Sequence, residues 1–341
     1  MAVDLSRLLS ALNASTMEDT IVTMKKILVT GAAGFIGSHV SEKLLARGDT
    51  VVGLDDLNDY YPVAYKRENV DALKRHAHFS MIEGDLCDAS LVGDTMAQHE
   101  ISHVAHLAAR AGVRPSIVDP FIYERANVLG TLTILQACVA AKVPHVVVTS
   151  SSSVYGNSTA IPFREDDSAT DRPISPYAAT KKAAEAMSFT YHKLYGLSVN
   201  VVRPFTVYGP RGRPDMAPWL FIESALRGIA IKKFGDGTTR RDYTFIDDFV
   251  AGFINAIDRS FGFEIFNLGN SQTVSLNEAL EVVSRVTGKK LIIDQLPMQP
   301  GDVQLTNADV SKARKLLDYN PTTSFSDGMA KFFEWYSSAR L

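Results

Sequence analysis

Cysteine is nearly absent: the 341-residue chain holds two, Cys87 and Cys138. Two such residues cannot make a disulfide framework and lack metal-ligand spacing, so a disulfide-stapled secreted scaffold and a zinc module are excluded. A reducing compartment and a cytoplasmic protein without a metal site are expected. Positive charge is not in excess either. Lys and Arg number 35 against 38 Asp and Glu, a formal net charge of −3, which argues against a general nucleic-acid binder while allowing a local basic pocket. No apolar run approaches the ~18 residues that span a bilayer, so no membrane association is expected. Low-complexity tracts and solenoid-period repeats are missing as well. With 46% hydrophobic and 21% charged residues the usage is that of an ordinary globular chain. Residues 1–23 lack the apolar core of a secretory signal and read as a flexible N-terminal extension before Met24.

What is present is an alternation of short apolar runs and helical periodicities. Strands are predicted at 26–30, 51–54, 79–82, 103–107, 144–149 and 199–203, and helices at 38–47, 122–141 and 177–195. Strands alternating with helices imply an α/β fold built on a parallel, doubly wound sheet. After about residue 206 the chain becomes richer in Gly and Pro (YGPRGRPD, FGDGTTRRD), with helices at 276–287, 311–317 and 326–336. The expected organisation is a nucleotide-binding lobe over 24–205 and a smaller C-terminal α/β lobe over 206–341 that binds substrate. Segments around 240–270 are expected to rejoin the first lobe. Asp247 and Asp248 are read as caps of the helix that follows them.

Gly31-Ala-Ala-Gly34-Phe-Ile-Gly37 follows the first strand and opens the first helix. The glycines permit a tight turn, close approach of a pyrophosphate and close helix–strand packing. The helix N-terminus adds free N–H groups and the positive end of its dipole. Asp55 ends the second strand 18 residues after Gly37, where a carboxylate can accept from both ribose hydroxyls. Asp56 beside it is a second acid, and no Arg stands there for a 2′-phosphate. Together these features predict a Rossmann-type lobe that binds NAD rather than NADP. Gly84-Asp85-Leu86 at the end of the third strand is placed at the adenine edge.

Tyr177 and Lys181 stand at i and i+4, on one helix face. A phenol with a pKa near 10 is a poor base at neutral pH, and an adjacent ammonium and a cationic nicotinamide would favour its phenolate. The Ser150–Ser153 run follows a continuously apolar strand, so its hydroxyls emerge at the carboxyl edge of the sheet, beside the cofactor. His106 is read as structural.

The motifs GAAGFIGSH, His106–Ala109 (HLAA), SSSSVYG and YAATK resemble the extended short-chain dehydrogenase/reductases that act on nucleotide sugars. That resemblance implies Tyr177 as base, Lys181 as the residue that holds the cofactor ribose and tunes Tyr177, and Ser151 as a hydrogen-bond partner of the sugar. It also implies an NAD site made by Gly31, Gly34, Phe35, Ile36, Gly37, Asp55, Asn58, Asp85, Leu86, Leu107, Ala108, Ala109 and Pro204 with Tyr177 and Lys181. Members of the family dimerise through two helices, here about 122–141 and 182–195, so a homodimer is expected.

Within that family, 4,6-dehydratases carry Thr-Asp-Glu where this chain has Ser151-Ser152-Ser153, and decarboxylases keep a Glu at Ser153. Lacking both, the chain is expected to oxidise and re-reduce C4. The stretch Phe205–Met216 (FTVYGPRGRPDM) and DLNDYY (56–61) resemble UDP-glucuronate 4-epimerases, whereas UDP-galactose 4-epimerases usually have Asn at Thr206. The implied reaction is NAD-dependent conversion of UDP-glucuronate to UDP-galacturonate, through a transient 4-keto sugar and hydride return to its opposite face, with NAD staying tightly bound. Arg213, a fork suited to a carboxylate, would act with Ser152, Ser153 and Thr206 on the glucuronate carboxyl. Arg241 would bind the diphosphate, Asp302 the uridine ribose, and Arg114 would reach the substrate from the first lobe. UDP-glucose 4-epimerisation, UDP-glucuronate decarboxylation and a non-enzymatic NAD-binding scaffold or sensor stand as alternatives.

Overall fold

Seven apolar strands lie side by side and parallel in the computed structural model, which describes residues 24–298 and 303–341. They are β1 (Lys26–Thr30), β2 (Thr50–Asp55), β3 (Phe79–Glu83), β4 (His103–His106), β5 (His145–Thr149), β6 (Ser198–Pro204) and, reached only after a long excursion, Phe263–Leu268. The N-terminal extension read over 1–23, and Asp302, lie outside the described residues. β5 is buried at all five positions and β1 at four of five, as a sheet covered on both faces requires. The spatial order is β3-β2-β1-β4-β5-β6 and then Phe263–Leu268. The order therefore reverses at β1, which pairs with β2 on one side (Thr30 opposite Leu54) and β4 on the other (Thr30 opposite His106). A crevice opens at the carboxyl ends of the strands at such a point.

Helices cover both faces. α1 (Phe35–Ala46), α2 (Val63–Leu73) and α3 (Ala89–Gln98) connect the first strands, and α4 (Val113–Val118) follows β4. The helix predicted over 122–141 is not continuous. It is α5 (Pro120–Tyr123), a π-helical turn (Glu124–Leu129) and α6 (Gly130–Ala140). The wide turn carries the Asn127 side chain inward, where it bonds Arg110 and Thr180, and the Thr131 hydroxyl donates to the Asn127 carbonyl at 2.6 Å. α7 (Pro176–Tyr195) begins where Ser175 Oγ accepts from Ala178 N, has Pro at its first position, and ends at Gly196 in the left-handed region.

Beyond β6 the chain builds the second layer: β7 (Thr206–Tyr208), α8 (Ala217–Arg227), β8 (Ile231–Phe234), β9 (Arg240–Phe245) and α9 (Ile246–Asp258). α9 packs against α1, and β10 (Phe263–Leu268) then joins β6 in the large sheet. β11 (Thr273–Ser275) and β7 flank β9 in a three-stranded sheet, and β12 (Ile293–Leu296) pairs with β8. The helices α10 (Leu276–Thr287), α11 (Ser311–Leu317) and α12 (Phe325–Arg340) complete the chain. Asp247 and Asp248 sit in the first turn of α9 but do not cap it; Asp248 instead accepts from Thr323 N at 2.9 Å, tying α9 to the start of α12. An aromatic cluster of Trp219, Phe332, Trp335 and Tyr336 fastens α12 to α8.

Candidate active site

A cavity of about 470 Å³ opens at the carboxyl ends of the strands, lined from both layers. Its floor is the β1–α1 turn. Gly31 has φ +72°, and a Cβ there would lie 2.9 Å from the Ala108 backbone nitrogen. A Cβ on Gly37 would overlap the Gly31 carbonyl. These two positions admit glycine alone, for conformation and for close packing respectively. α1 has no side-chain cap, so its first N–H groups point at the cavity without a protein acceptor from a cap. Asp55 accepts from Ala33 N (3.1 Å) and Leu57 N (2.9 Å); burial raises its pKa and the Lys66 charge opposes that. The Thr149 hydroxyl, also in the lining, is buried without a partner. An orphaned hydroxyl, an uncapped helix end and a cradle that any Cβ would fill all fit a dinucleotide.

Tyr177, Lys181 and Ser151 converge on this cavity, together with Phe35, Ile36, Gly34, Asn58, Leu86, Leu107, Ala108, Ala109 and Pro204. Burial holds the Tyr177 hydroxyl above its usual pKa; a hydrogen bond with Ser151 and the charge of Arg213 both pull it down. Lys181 Nζ does not turn to the phenol but donates to the Thr149 carbonyl at 2.9 Å. Burial lowers its pKa to about 8, against the opposing charge of Glu185. Arg213 is thus a protein cation that bears on Tyr177, in addition to the Lys181 expected there.

The remaining candidates divide. Ser152, Ser153, Thr206 and Arg213 line the same cavity as Tyr177. Arg213 is gripped on one edge by Asp215, Nε–Oδ1 at 3.0 Å and Nη2–Oδ2 at 2.6 Å, and lies 5.4 Å from the centre of the Tyr60 ring. Asp85 stands between the lining residues Gly84 and Leu86 but is outside the lining itself: it pairs with Arg125 at 2.6 Å and accepts from Cys87 N at 2.8 Å. Arg241 is outside the lining too, on β9, its Nη1 donating to the Arg240 carbonyl at 2.9 Å. Arg114 lies on α4, 6.0 Å from the Phe234 ring, beside a second cavity that it lines with Tyr60 and Tyr123. His106 is held between Thr30 Oγ1 (2.8 Å) and Thr131 Oγ1 (3.0 Å), and burial followed by the Lys181 charge lowers its pKa to about 3.

Two participants were not among the expected site residues, although Tyr60 stands in the DLNDYY stretch that resembles the epimerases. Asn127, on the π turn, donates to Thr180 Oγ1 (3.0 Å) and the Arg110 carbonyl (3.0 Å) and accepts from Arg110 N (2.8 Å), joining the lining residue Arg110 to the helix of Tyr177. Its inward direction depends on the π turn, which helical periodicity does not reveal. Tyr60 donates to the Ala111 carbonyl at 2.8 Å and offers its ring to Arg213; both contacts are long-range in sequence. Among the described residues there is no group of His, Cys, Asp and Glu placed to hold a metal, and no helix long and apolar enough to cross a membrane.

A profile of the NAD dependent epimerase/dehydratase family matches residues 27–269. A UDP-glucuronate 4-epimerase of Thermodesulfobacterium geofontis is 44% identical over 309 residues, covering 90% of this chain and 95% of that one. The crystal structure of a Bacillus cereus UDP-glucuronic acid 4-epimerase in complex with UDP-glucuronic acid and NAD superposes with a TM-score of 0.86 at 36% identity, covering 92% of this chain and 99% of the other. A UDP-glucose 4-epimerase of Thermotoga maritima, solved with UDP-glucose, reaches 0.82 at 32% identity, with the same shares covered.

Proposed function

The chain belongs to the NAD dependent epimerase/dehydratase family, and from that premise we propose that it interconverts UDP-glucuronate and UDP-galacturonate by inverting C4. It is an NAD-dependent enzyme of the isomerase type acting on UDP-sugars. The observation that carries the finer reading is the lining around Tyr177: Arg213, Ser152, Ser153 and Thr206 stand there, and the carboxylates of the described lining, Asp55 and Asp56, belong to the β2 end. A cation with hydroxyls suits a sugar acid. A site without a carboxylate near the base has no second acid for eliminating water.

NAD, held by the β1–α1 turn, Asp55, Thr149 and Lys181, supplies acceptance and return of hydride at C4. Tyr177 Oη takes the proton of the 4-hydroxyl and gives it back, with Ser151 sharing the hydrogen bond. Arg213 stabilises the phenolate. With Ser152 and Thr206 it also grips the sugar carboxylate and keeps its C–C bond out of line with the carbonyl, which opposes loss of carbon dioxide. Lys181, anchored on the Thr149 carbonyl, orients the cofactor. A homodimer through α6 and α7 accompanies this reading.

Proton NMR of the products from UDP-glucuronate and UDP-glucose, incubated side by side, tests it. UDP-galacturonate as the main product is expected. A pentose product, or turnover of UDP-glucose alone, overturns it. Tyr177→Phe is expected to lower kcat by about 10²-fold or more, the usual size of a positioned acid–base contribution.

A further inference from the structure

Directly beneath the reacting residues lies an ion pair that the scheme above leaves unused. Arg203 on β6 is fully buried and Glu185 on α7 nearly so. They meet fork to fork, Nε–Oε1 and Nη2–Oε2, both at 2.8 Å. Glu185 Oε1 also accepts from the Ser150 hydroxyl at 2.6 Å. Arg203 Nη1 donates to the Tyr155 hydroxyl at 2.9 Å, which donates in turn to Asn267 Oδ1 at 2.7 Å. The segment that carries Ser151 is therefore tied at Ser150 and at Tyr155 to one buried pair. Glu185 follows Lys181 by one helical turn, on the same face. An apolar pair of similar volume would stabilise a core as well as a buried ion pair does, so stability alone does not account for it.

We propose that the Glu185–Arg203 pair is the positioning unit of the reacting set. Glu185 holds the Ser150–Ser151 segment at the end of β5 and provides the buried counter-charge that keeps Lys181 an ammonium, while Arg203 holds Glu185 ionised and in place. The surroundings of Lys181 support this. On α7 itself, Tyr177 and Glu185 lie one turn to either side of it, while Lys182 Nζ donates to Thr170 Oγ1 at 3.0 Å and stands 3.6 Å from Glu185 Oε2, a second cation on that carboxylate. β5 presents the Thr149 carbonyl and β4 presents His106, which burial keeps neutral. Tyr123 from α5 and Arg213 act on Tyr177, and the π turn contributes the neutral Asn127 through Thr180. Arg203 from β6 engages Glu185. Glu185 is the anion whose charge Lys181 feels.

The proposal rests on Tyr177 being the base and Lys181 the ammonium that orients the cofactor beside it, so its test needs a measurement independent of turnover. Three variants of the NAD-loaded full chain serve: Glu185→Gln, which removes the charge at constant shape; Glu185→Gln with Arg203→Met, which also removes the guanidinium left unpaired; and Glu185→Asp, which keeps the charge. NMR titration of the Lys181 side chain, in lysine-labelled protein assigned with Lys181→Arg, is expected to move acid-ward by about one pH unit or more in both charge-removed variants, the usual effect of a close opposite charge. The alkaline limb of kcat is expected to move with it while KM holds, and Glu185→Asp is expected to stay near wild type in both. A folded charge-removed variant with the wild-type Lys181 midpoint overturns the proposal, as does Glu185→Asp moving as far as Glu185→Gln. Wild-type protein that turns over no UDP-sugar overturns the functional reading instead, and the Lys181 titration still decides this one.

Discussion

Replacing Arg213 by Ala separates the carboxylate grip from every other contribution to turnover. The guanidinium spends its Nε/Nη2 edge on Asp215, at 3.0 and 2.6 Å, and its remaining hydrogens face the cavity that holds Tyr177. A hydrogen bond to a charged partner contributes about 1.5–3 kcal/mol. At about 1.4 kcal/mol per factor of ten, its loss lowers kcat/KM for UDP-glucuronate by roughly 10- to 150-fold. UDP-glucose has no carboxylate to lose. It feels only the withdrawal of Arg213's charge from Tyr177, an effect that falls on both substrates alike. The ratio of the two kcat/KM values is therefore the quantity to read, with product NMR to detect decarboxylated pentose. Asp215 is left behind with 42% of its side chain exposed, so it regains water and the fold loses no more than about 1 kcal/mol; an unchanged melting temperature confirms that the loss is functional. If both substrates lose the same factor, and no pentose appears, Arg213 serves Tyr177 alone and the carboxylate grip is refuted.

Three other perturbations follow from the geometry. Gly37→Ala would drive a methyl into the Gly31 carbonyl, so α1 must shift against β1 at a cost of about 1–3 kcal/mol, and NAD released on denaturing the purified protein is expected to fall sharply; a full complement of NAD would contradict the cradle. His106, by burial and then the Lys181 charge, is lowered to about 3, and His39 and His103 to about 4, mainly by burial. The unfolded chain titrates near 6.5, so stability present above that pH is lost as pH falls towards 4, His106 alone giving up about 2 kcal/mol between pH 6.5 and 5. Urea titrations at pH 7 and pH 5 read this directly, and a flat or rising midpoint at pH 5 would count against it. Leu132 on α6 and Phe189 on α7 are 37% and 46% exposed, so Leu132→Glu with Phe189→Glu is expected to yield monomers by light scattering; an unchanged mass places any interface elsewhere.

The linear chain carried what depends on near neighbours. Glycines at 31, 34 and 37 between an apolar run and a helix can serve little except a close backbone approach, and Tyr177 with Lys181 at i and i+4 share a helix face by geometry alone. The serines after β5 emerge at the carboxyl edge because a parallel strand has only one such edge. Other decisions needed the fold. The π turn that aims Asn127 inward leaves no mark on helical periodicity, and it divided a helix predicted as one. Asp85, two residues past β3, meets Arg125 some forty positions away, which sequence neighbours do not foretell. Arg213 acquired its place between Asp215, Tyr60 and Tyr177 from three separate segments, and with it a pull on the Tyr177 hydroxyl. Glu185 and Arg203 are 18 positions apart with no motif to join them, and they meet only where β6 and α7 pack and shut them from water. Local spacing therefore determined the glycine cradle and the shared helix face of Tyr177 and Lys181. Only the tertiary structure decided which charge faces which, because burial and long-range approach set the strength of a charge, and neither is a property of the sequence read along its length.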